Sequence, residues 1–323
     1  MFRWGFVGSA GIAVTVAKEL ERNKDFKIVA VYSKNFEHCK KFSKRFGATP
    51  YRTFEDMLAD KKIDAIYVAT PHTYHYYYSK RALEKHIPVI CEKTLTLNLA
   101  SAEELFKIAE ENQTYFVEAM WTWFNPTAYK VKEWIDQNRI GQVKTMKADF
   151  TVPSLYISRK ERLFSPERGG GSLYDLGVYP VTYAYRLFGY PSKITAKGKL
   201  KNGIDISCRV EFEYENGIKC VLTSGFNKIG LVNATIKGSE GSIRVPTCFH
   251  SARSARLSGK DELTYRDAEN LRLYEREFVK TAQEIKAGLI KSELVKPEDT
   301  LNVLKILEEI KNQIGLVYPD DRK

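Results

Sequence analysis

Gly8-Ser9-Ala10-Gly11-Ile12-Ala13 lies between an apolar run, Phe2–Val7, and an amphipathic stretch, Ile12–Arg22. A chain that passes from strand to helix through small residues aims its amides and the helix N-terminus at one point, which attracts phosphate. Gly8 allows the tight turn and Ala13 the close helix–strand packing, while Ala10 stands where the Gly-x-Gly-x-x-Gly/Ala pattern has its second glycine. The segment Gly8, Ser9, Ala10, Gly11 and Ile12 thus reads as a pyrophosphate cradle, with a plain tight turn as the bland alternative. The next apolar run ends at Tyr32-Ser33-Lys34, and Ser33 is 22 positions after Gly11. A carboxylate there would hold the ribose hydroxyls of NAD. A hydroxyl and a cation receive a 2′-phosphate instead, so Ser33 and Lys34 favour NADP(H) over NAD(H).

Other reactive sets follow strand-like runs. Thr70-Pro71-His72, with His75 one turn on, would line the nicotinamide side, because ligands of parallel sheets gather at carboxyl ends of strands. Glu92-Lys93 ends another apolar run. Burial would favour a neutral Lys93 and Glu92 its charge, so Lys93 is suited to hydrogen-bond a substrate hydroxyl or shuttle its proton. The competing reading is a surface ion pair of little worth. In Gly169-Gly170-Gly171-Ser172-Leu173-Tyr174-Asp175-Leu176-Gly177-Val178-Tyr179, Asp175 and Tyr179 are four apart and share a face on a helix. A carboxylate and a phenol so placed bind a polyol and carry a proton, unless the segment is only a loop and a core helix. Trp121, Trp123, Tyr156 and Arg162 would shape the pocket, with Trp121 and Arg162 beside the cofactor or substrate.

These residues need a frame. The runs Phe2–Val7, Phe26–Tyr32, Ile63–Ala69, Ile87–Cys91 and Tyr115–Glu118 alternate with helical stretches at Ile12–Arg22, Phe36–Phe46, Thr53–Leu58, Tyr74–Lys85 and Asn98–Glu111. Near-continuous apolar strands separated by helices make a parallel sheet covered on both faces, the doubly wound, Rossmann-like arrangement. After Glu118 the pattern changes. A helix starts at Pro126, Met146, Ala148, Phe150 and Val152 alternate along one strand, and Ile206 to Tyr214 alternate along another before the Asn216-Gly217 hairpin turn. Helices are expected over Ser172–Phe188, Ala268–Ala287 and Pro297–Ile314. The fold class is α/β: a Rossmann sheet in residues 1–119, and in residues 120–323 an α+β substrate domain with a largely antiparallel open sheet.

Composition narrows the function classes. Apolar residues are 43% and charged residues 28% of the chain, ordinary globular usage that excludes a disordered or disulfide-scaffold protein. The net charge of +11 is spread without a long basic block, so it reads as a solvated surface and not a nucleic-acid face. The five cysteines are widely spaced without Cys-x-x-Cys, which signals neither a metal site nor a redox pair and fits reduced thiols in the cytoplasm. No apolar run spans a bilayer, and the N-terminal stretch reads as a first strand, not a cleaved leader.

Together, Trp4-Gly5 through Ala13, Ala69-Thr70-Pro71-His72 with His75, Glu92-Lys93, Glu118-Ala119-Met120-Trp121 with Phe124 and Pro126, Gly169 to Tyr179, and Gly238-Ser239-Glu240-Gly241 resemble the Gfo/Idh/MocA family of glucose–fructose oxidoreductases and inositol dehydrogenases. Within it, the chain looks most like the branch of dimeric dihydrodiol dehydrogenase and NADP-dependent xylose dehydrogenase. The resemblance implies an NADP(H)-dependent oxidoreductase acting on a secondary alcohol or carbonyl of a sugar, polyol or vicinal diol. It implies Lys93 at the reacting hydroxyl, Asp175 and Tyr179 in substrate binding and acid–base work, and a homodimer through the open sheet. Ala10, His72, Thr94 and Trp123 depart from the family's usual glycine, asparagine, proline and arginine. The alternative class is a non-catalytic NADP(H)-binding regulator.

Overall fold

A computed structural model describes residues 1–156, 160–269 and 272–319. The chain forms two compact units, Met1–Trp121 with Leu271–Leu301, and Thr122–Asn270 with Asn302–Lys323. Residues 271–301 therefore return to the first unit, where sequence order had assigned them to the second.

The first unit alternates β1 (Phe2–Val7), α1 (Ile12–Leu20), β2 (Phe26–Tyr32), α2 (Phe36–Phe46), β3 (Thr49–Tyr51), α3 (Phe54–Leu58), β4 (Ala65–Val68), α4 (His75–Leu83), β5 (Val89–Glu92), α5 (Leu99–Glu111) and β6 (Phe116–Ala119). Its parallel sheet has the order β3-β2-β1-β4-β5-β6. The order reverses beside β1, so the connections leaving β1 and β4 run in opposite directions and leave a crevice at the carboxyl ends of these paired strands. β4, β5 and β6 are buried along their whole length, as the continuous apolar runs require. Local chemistry starts the helices. The side chains of Asn35, Thr53 and Asn98 accept first-turn amides of α2, α3 and α5.

The second unit opens with α6 (Pro126–Asp136), β7 (Val143–Thr151) and the short α7 (Lys160–Leu163). A π-helical turn, Leu173–Gly177, runs into α8 (Val178–Phe188), where the spacing predicts one continuous α-helix. There follow β8 (Lys193–Lys201), β9 (Ile204–Glu213), β10 (Lys219–Gly225), β11 (Ala234–Gly238), β12 (Ser242–Val245), β13 (Ser254–Ser258) and β14 (Leu263–Arg266). They form one sheet in the order β14-β13-β12-β11-β7-β10-β9-β8, antiparallel except where β10 runs parallel to β7. The Asn216-Gly217 turn joins β9 to β10, with Gly217 at φ +83° and its amide 2.9 Å from the Tyr214 carbonyl. Cys208, Val210 and Phe212 of β9 and Cys220 and Leu222 of β10 are buried.

α9 (Leu273–Lys286) belongs to the first unit. Phe278 is fully buried, its ring 4.8 Å from Trp4 and 5.0 Å from Tyr67. Glu19 accepts the Tyr274 amide at 3.0 Å, near the start of α9. Asn270 and Leu271 of the expected helix Ala268–Ala287 lie outside the described residues, and helix begins at Leu273. α10 (Pro297–Gln313) closes the chain, its first turns in the first unit and the rest in the second.

Candidate active site

At the carboxyl end of β1, Gly8 adopts φ +111°, and a Cβ there would lie 2.3 Å from the Ala69 carbonyl oxygen at the end of β4. Only glycine fits a turn that is both left-handed and this close to a neighbouring strand. Gly11, at φ 55°, precedes α1, whose first turn has no side-chain cap. The hydroxyls of Ser9, Thr70 and Thr73 are buried with no hydrogen-bond partner, the state of polar groups arranged for ligand atoms. These features fit a dinucleotide: Gly8 to Ile12 would hold its pyrophosphate at the uncapped helix start. Thr73 was not among the residues singled out from sequence, since a lone threonine after Pro71-His72 carries no spacing signal.

At the end of β2, Ser33 is half-buried and Lys34 is exposed. The Lys34 ammonium sits 3.8 Å from the centre of the Tyr74 ring. This cation–π contact restrains a long side chain and leaves its N–H groups able to meet an anion. Tyr74 is the second residue that sequence inspection passed over.

Pro71 leads into a short 3₁₀ turn, His72–Tyr74. His72 and His75 are buried and meet edge to face at 5.5 Å. His75 Nε2 lies 2.9 Å from the Thr70 carbonyl, and its Nδ1 lies 3.1 Å from the Thr94 carbonyl. The His75 ring thus links the ends of β4 and β5, where sequence had assigned it to cofactor contact.

The end of β5 falls between Glu92 and Lys93 and separates their roles. Glu92 is buried and accepts the Tyr67 hydroxyl at 2.6 Å, whereas Lys93 is half-exposed just beyond the strand. Burial, together with the neighbouring Glu92 charge, drives the Tyr67 phenol well above its usual range. The Lys93–Thr94 peptide bond is cis. Trp121 is nearly buried and stacks face to face on Tyr274 at 4.7 Å.

In the second unit the glycine run is shaped by Asp205. A Cβ on Gly171, at φ +119°, would lie 2.3 Å from Asp205 Oδ1. Asp205 Oδ2 accepts the Ser172 hydroxyl at 2.5 Å and the Leu173 amide at 2.9 Å, so this carboxyl anchors the start of the π turn. Burial pushes the Asp205 carboxyl up to about 6, against the pull of those bonds. Sequence inspection missed Asp205 because it lies 33 positions from Ser172. π turns are rare and recur at functional sites.

Asp175 lies within that turn, and Arg162 places a guanidinium nitrogen 2.6 Å from its carboxylate. Tyr179, in the first turn of α8, is buried. Its ring lies 5.4 Å from Phe150 and 4.9 Å from His250, and the latter two rings stack at 4.4 Å. Tyr156 is exposed, and Arg186 lies over the Trp123 ring at 5.0 Å. Of the residues expected to act in catalysis, Lys93 belongs to the first unit, and Asp175 and Tyr179 belong to the second.

Residues 2–119 match a family described as an oxidoreductase family with an NAD-binding Rossmann fold, and residues 129–244 match the GFO/IDH/MocA C-terminal domain. The scyllo-inositol 2-dehydrogenase (NADP(+)) of Bacillus subtilis is 30% identical, with 100% of each chain covered. The trans-1,2-dihydrobenzene-1,2-diol dehydrogenase of Danio rerio is 28% identical, with 99% of this chain and 98% of that protein covered. A 3-ketoreductase from Actinomadura kijaniata, crystallised with NADP and TDP-benzene, shares the fold at a TM-score of 0.88 and 23% identity, with 97% of this chain and 98% of that chain covered. No helix among the described residues is long and apolar enough to cross a membrane.

Proposed function

Because the chain belongs to the Gfo/Idh/MocA oxidoreductase family, we propose that it is an NADP(H)-dependent dehydrogenase acting on a secondary alcohol, or the matching carbonyl, of a sugar, polyol or vicinal diol. The observation that carries the reading is the Arg162–Asp175 pair at 2.6 Å, held on a π turn that leads directly into Tyr179. A carboxylate fixed this way binds a substrate hydroxyl while the neighbouring phenol oxygen handles a proton. The two relatives above carry polyol and diol dehydrogenase names, one of them NADP-linked.

When bound, NADP(H) takes or supplies a hydride at its nicotinamide C4. In the oxidative direction the carbinol C–H bond breaks with its electron pair, the C=O bond forms, and the hydroxyl proton passes to the Tyr179 phenolate oxygen. Lys93 hydrogen-bonds the same hydroxyl and stabilises the negative charge that develops on it. Asp175, oriented by Arg162, holds an adjacent hydroxyl so that the reacting carbon has one orientation. Ser33 and Lys34 receive the 2′-phosphate, and Ser9 and Thr70 hydrogen-bond the dinucleotide. The same reading takes the protein as a cytoplasmic homodimer, joined through the face of the second sheet opposite α8, where Lys147, Val221, Thr223 and Thr235 keep solvent exposure.

The test is NADPH formation, followed by fluorescence, against scyllo-inositol, D-xylose and trans-1,2-dihydrobenzene-1,2-diol, with wild type, Lys93→Ala, Tyr179→Phe and the double variant. Turnover on one of these, with losses in the double variant well short of additive, is expected if both groups serve one hydroxyl. Tight NADPH binding without turnover would replace the enzyme reading with the regulator. Sedimentation as a monomer at micromolar concentration would remove the dimer.

A further inference from the structure

Glu118, in β6, is buried, yet its carboxyl faces polar partners. One oxygen accepts the Leu95 amide at 2.9 Å, and the other accepts the Thr300 hydroxyl of α10 at 3.1 Å. Leu95 is two residues beyond Lys93. The carbonyl of the intervening Thr94 is engaged by His75 Nδ1 at 3.1 Å. The backbone leaving Lys93 is thus held at two consecutive residues by buried polar side chains from α4 and β6. Burying a carboxyl in a strand costs stability that a valine would not, so the arrangement serves something other than packing.

We propose that Glu118 is a positioning residue for Lys93: its carboxylate, with the His75 ring, fixes the Thr94–Leu95 backbone so that the Lys93 ammonium meets the substrate hydroxyl in one orientation. This rests on the reading of Lys93 as the group at the reacting hydroxyl. Glu118 acts through the Leu95 amide, and its charge also reaches the Lys93 ammonium. Burial pushes its carboxyl up to about 7, opposed by the Leu95 amide, the Thr300 hydroxyl and the Lys93 charge, and reinforced by Glu92. Among the described residues, the titratable groups facing the clamp are Cys91 and Glu92 of β5, Lys93 beyond it, and from α4 the His75 imidazole itself with the His72 ring at its edge. Protonated Glu118 is a weaker acceptor for the Leu95 amide, so the clamp loosens as pH falls.

The experiment measures kcat against pH, and NADPH affinity, for full-length wild type, Glu118→Gln, Thr300→Val and Lys93→Ala with the best substrate of the panel above. The Glu118→Gln amide still accepts the Leu95 N–H, so it removes the ionisation with little change of shape. Wild-type kcat should fall below an acid limb near 7 that Glu118→Gln lacks. NADPH affinity should stay within about twofold, because the loss lies in turnover and not in cofactor binding. Thr300→Val removes a hydroxyl that favours the carboxylate, so it should move the limb upward by about half a unit. It reports on the clamp even where Glu118→Gln fails to fold. A Glu118→Gln profile that keeps the wild-type limb, or is only scaled down, overturns the inference. So does a Thr300→Val limb that stays in place. In those cases an inactive Lys93→Ala leaves the reading of Lys93 standing, whereas a fully active Lys93→Ala overturns both.

Discussion

The Arg162 guanidinium lies 2.6 Å from the Asp175 carboxylate, and both side chains are largely shielded from water. Removing one partner of such a pair strands the other charge. Arg162→Ala should therefore lower kcat/KM by roughly a hundredfold, corresponding to about 3 kcal/mol of lost stabilisation. Steady-state kinetics on the best panel substrate check it, and an unchanged kcat/KM would remove Arg162 from the site.

Lys34, held over Tyr74 at 3.8 Å, is assigned to the 2′-phosphate. Lys34→Ala should weaken NADPH binding about tenfold, the equivalent of one charge-assisted hydrogen bond. NADH binding should be untouched, because it carries no phosphate there. Fluorescence titration of both nucleotides decides between this and a solvated surface lysine.

Gly8 has no room for a side chain, since a Cβ would meet the Ala69 carbonyl at 2.3 Å in a left-handed backbone. Gly8→Ala should cost about 1–3 kcal/mol of stability and abolish dinucleotide binding. Thermal melts with and without NADPH read both effects: the melting temperature drops, and NADPH no longer raises it.

Asp205 ties stability to pH. Its carboxyl rises from an ordinary 3.8 to about 6 because it is buried, so the folded chain holds this proton more tightly than the unfolded chain does. The stabilisation is complete below about 4 and is lost as pH climbs through about 6. Asp205→Asn keeps an acceptor for Ser172 and Leu173 but cannot ionise. Its melting temperature should fall less than that of wild type across this window, which calorimetry at a series of pH values measures.

Much of this protein is written in short stretches of its sequence. The alternation that makes the first sheet parallel, the Gly8 turn, the Asn216-Gly217 hairpin and the Pro126 helix start depend on dihedral preferences and burial patterns of residues close together in the chain. Such signals survive without knowledge of neighbours. The placement of Lys93 just beyond a strand end is legible for the same reason. The π turn at Leu173–Gly177 is not, because its register is set by Asp205, a residue of β9 that meets it only after the sheet has formed.

Tertiary structure alone decided the long-range matters. Phe278 buries its ring against Trp4 and Tyr67, which draws α9 back to the first unit. Glu118 finds Thr300 across 182 positions, and Tyr274 finds Glu19 across 255. No local propensity encodes such pairings. They arise when burial of the whole chain removes water from polar groups, and each group must then bond whichever partner the packing has brought within reach.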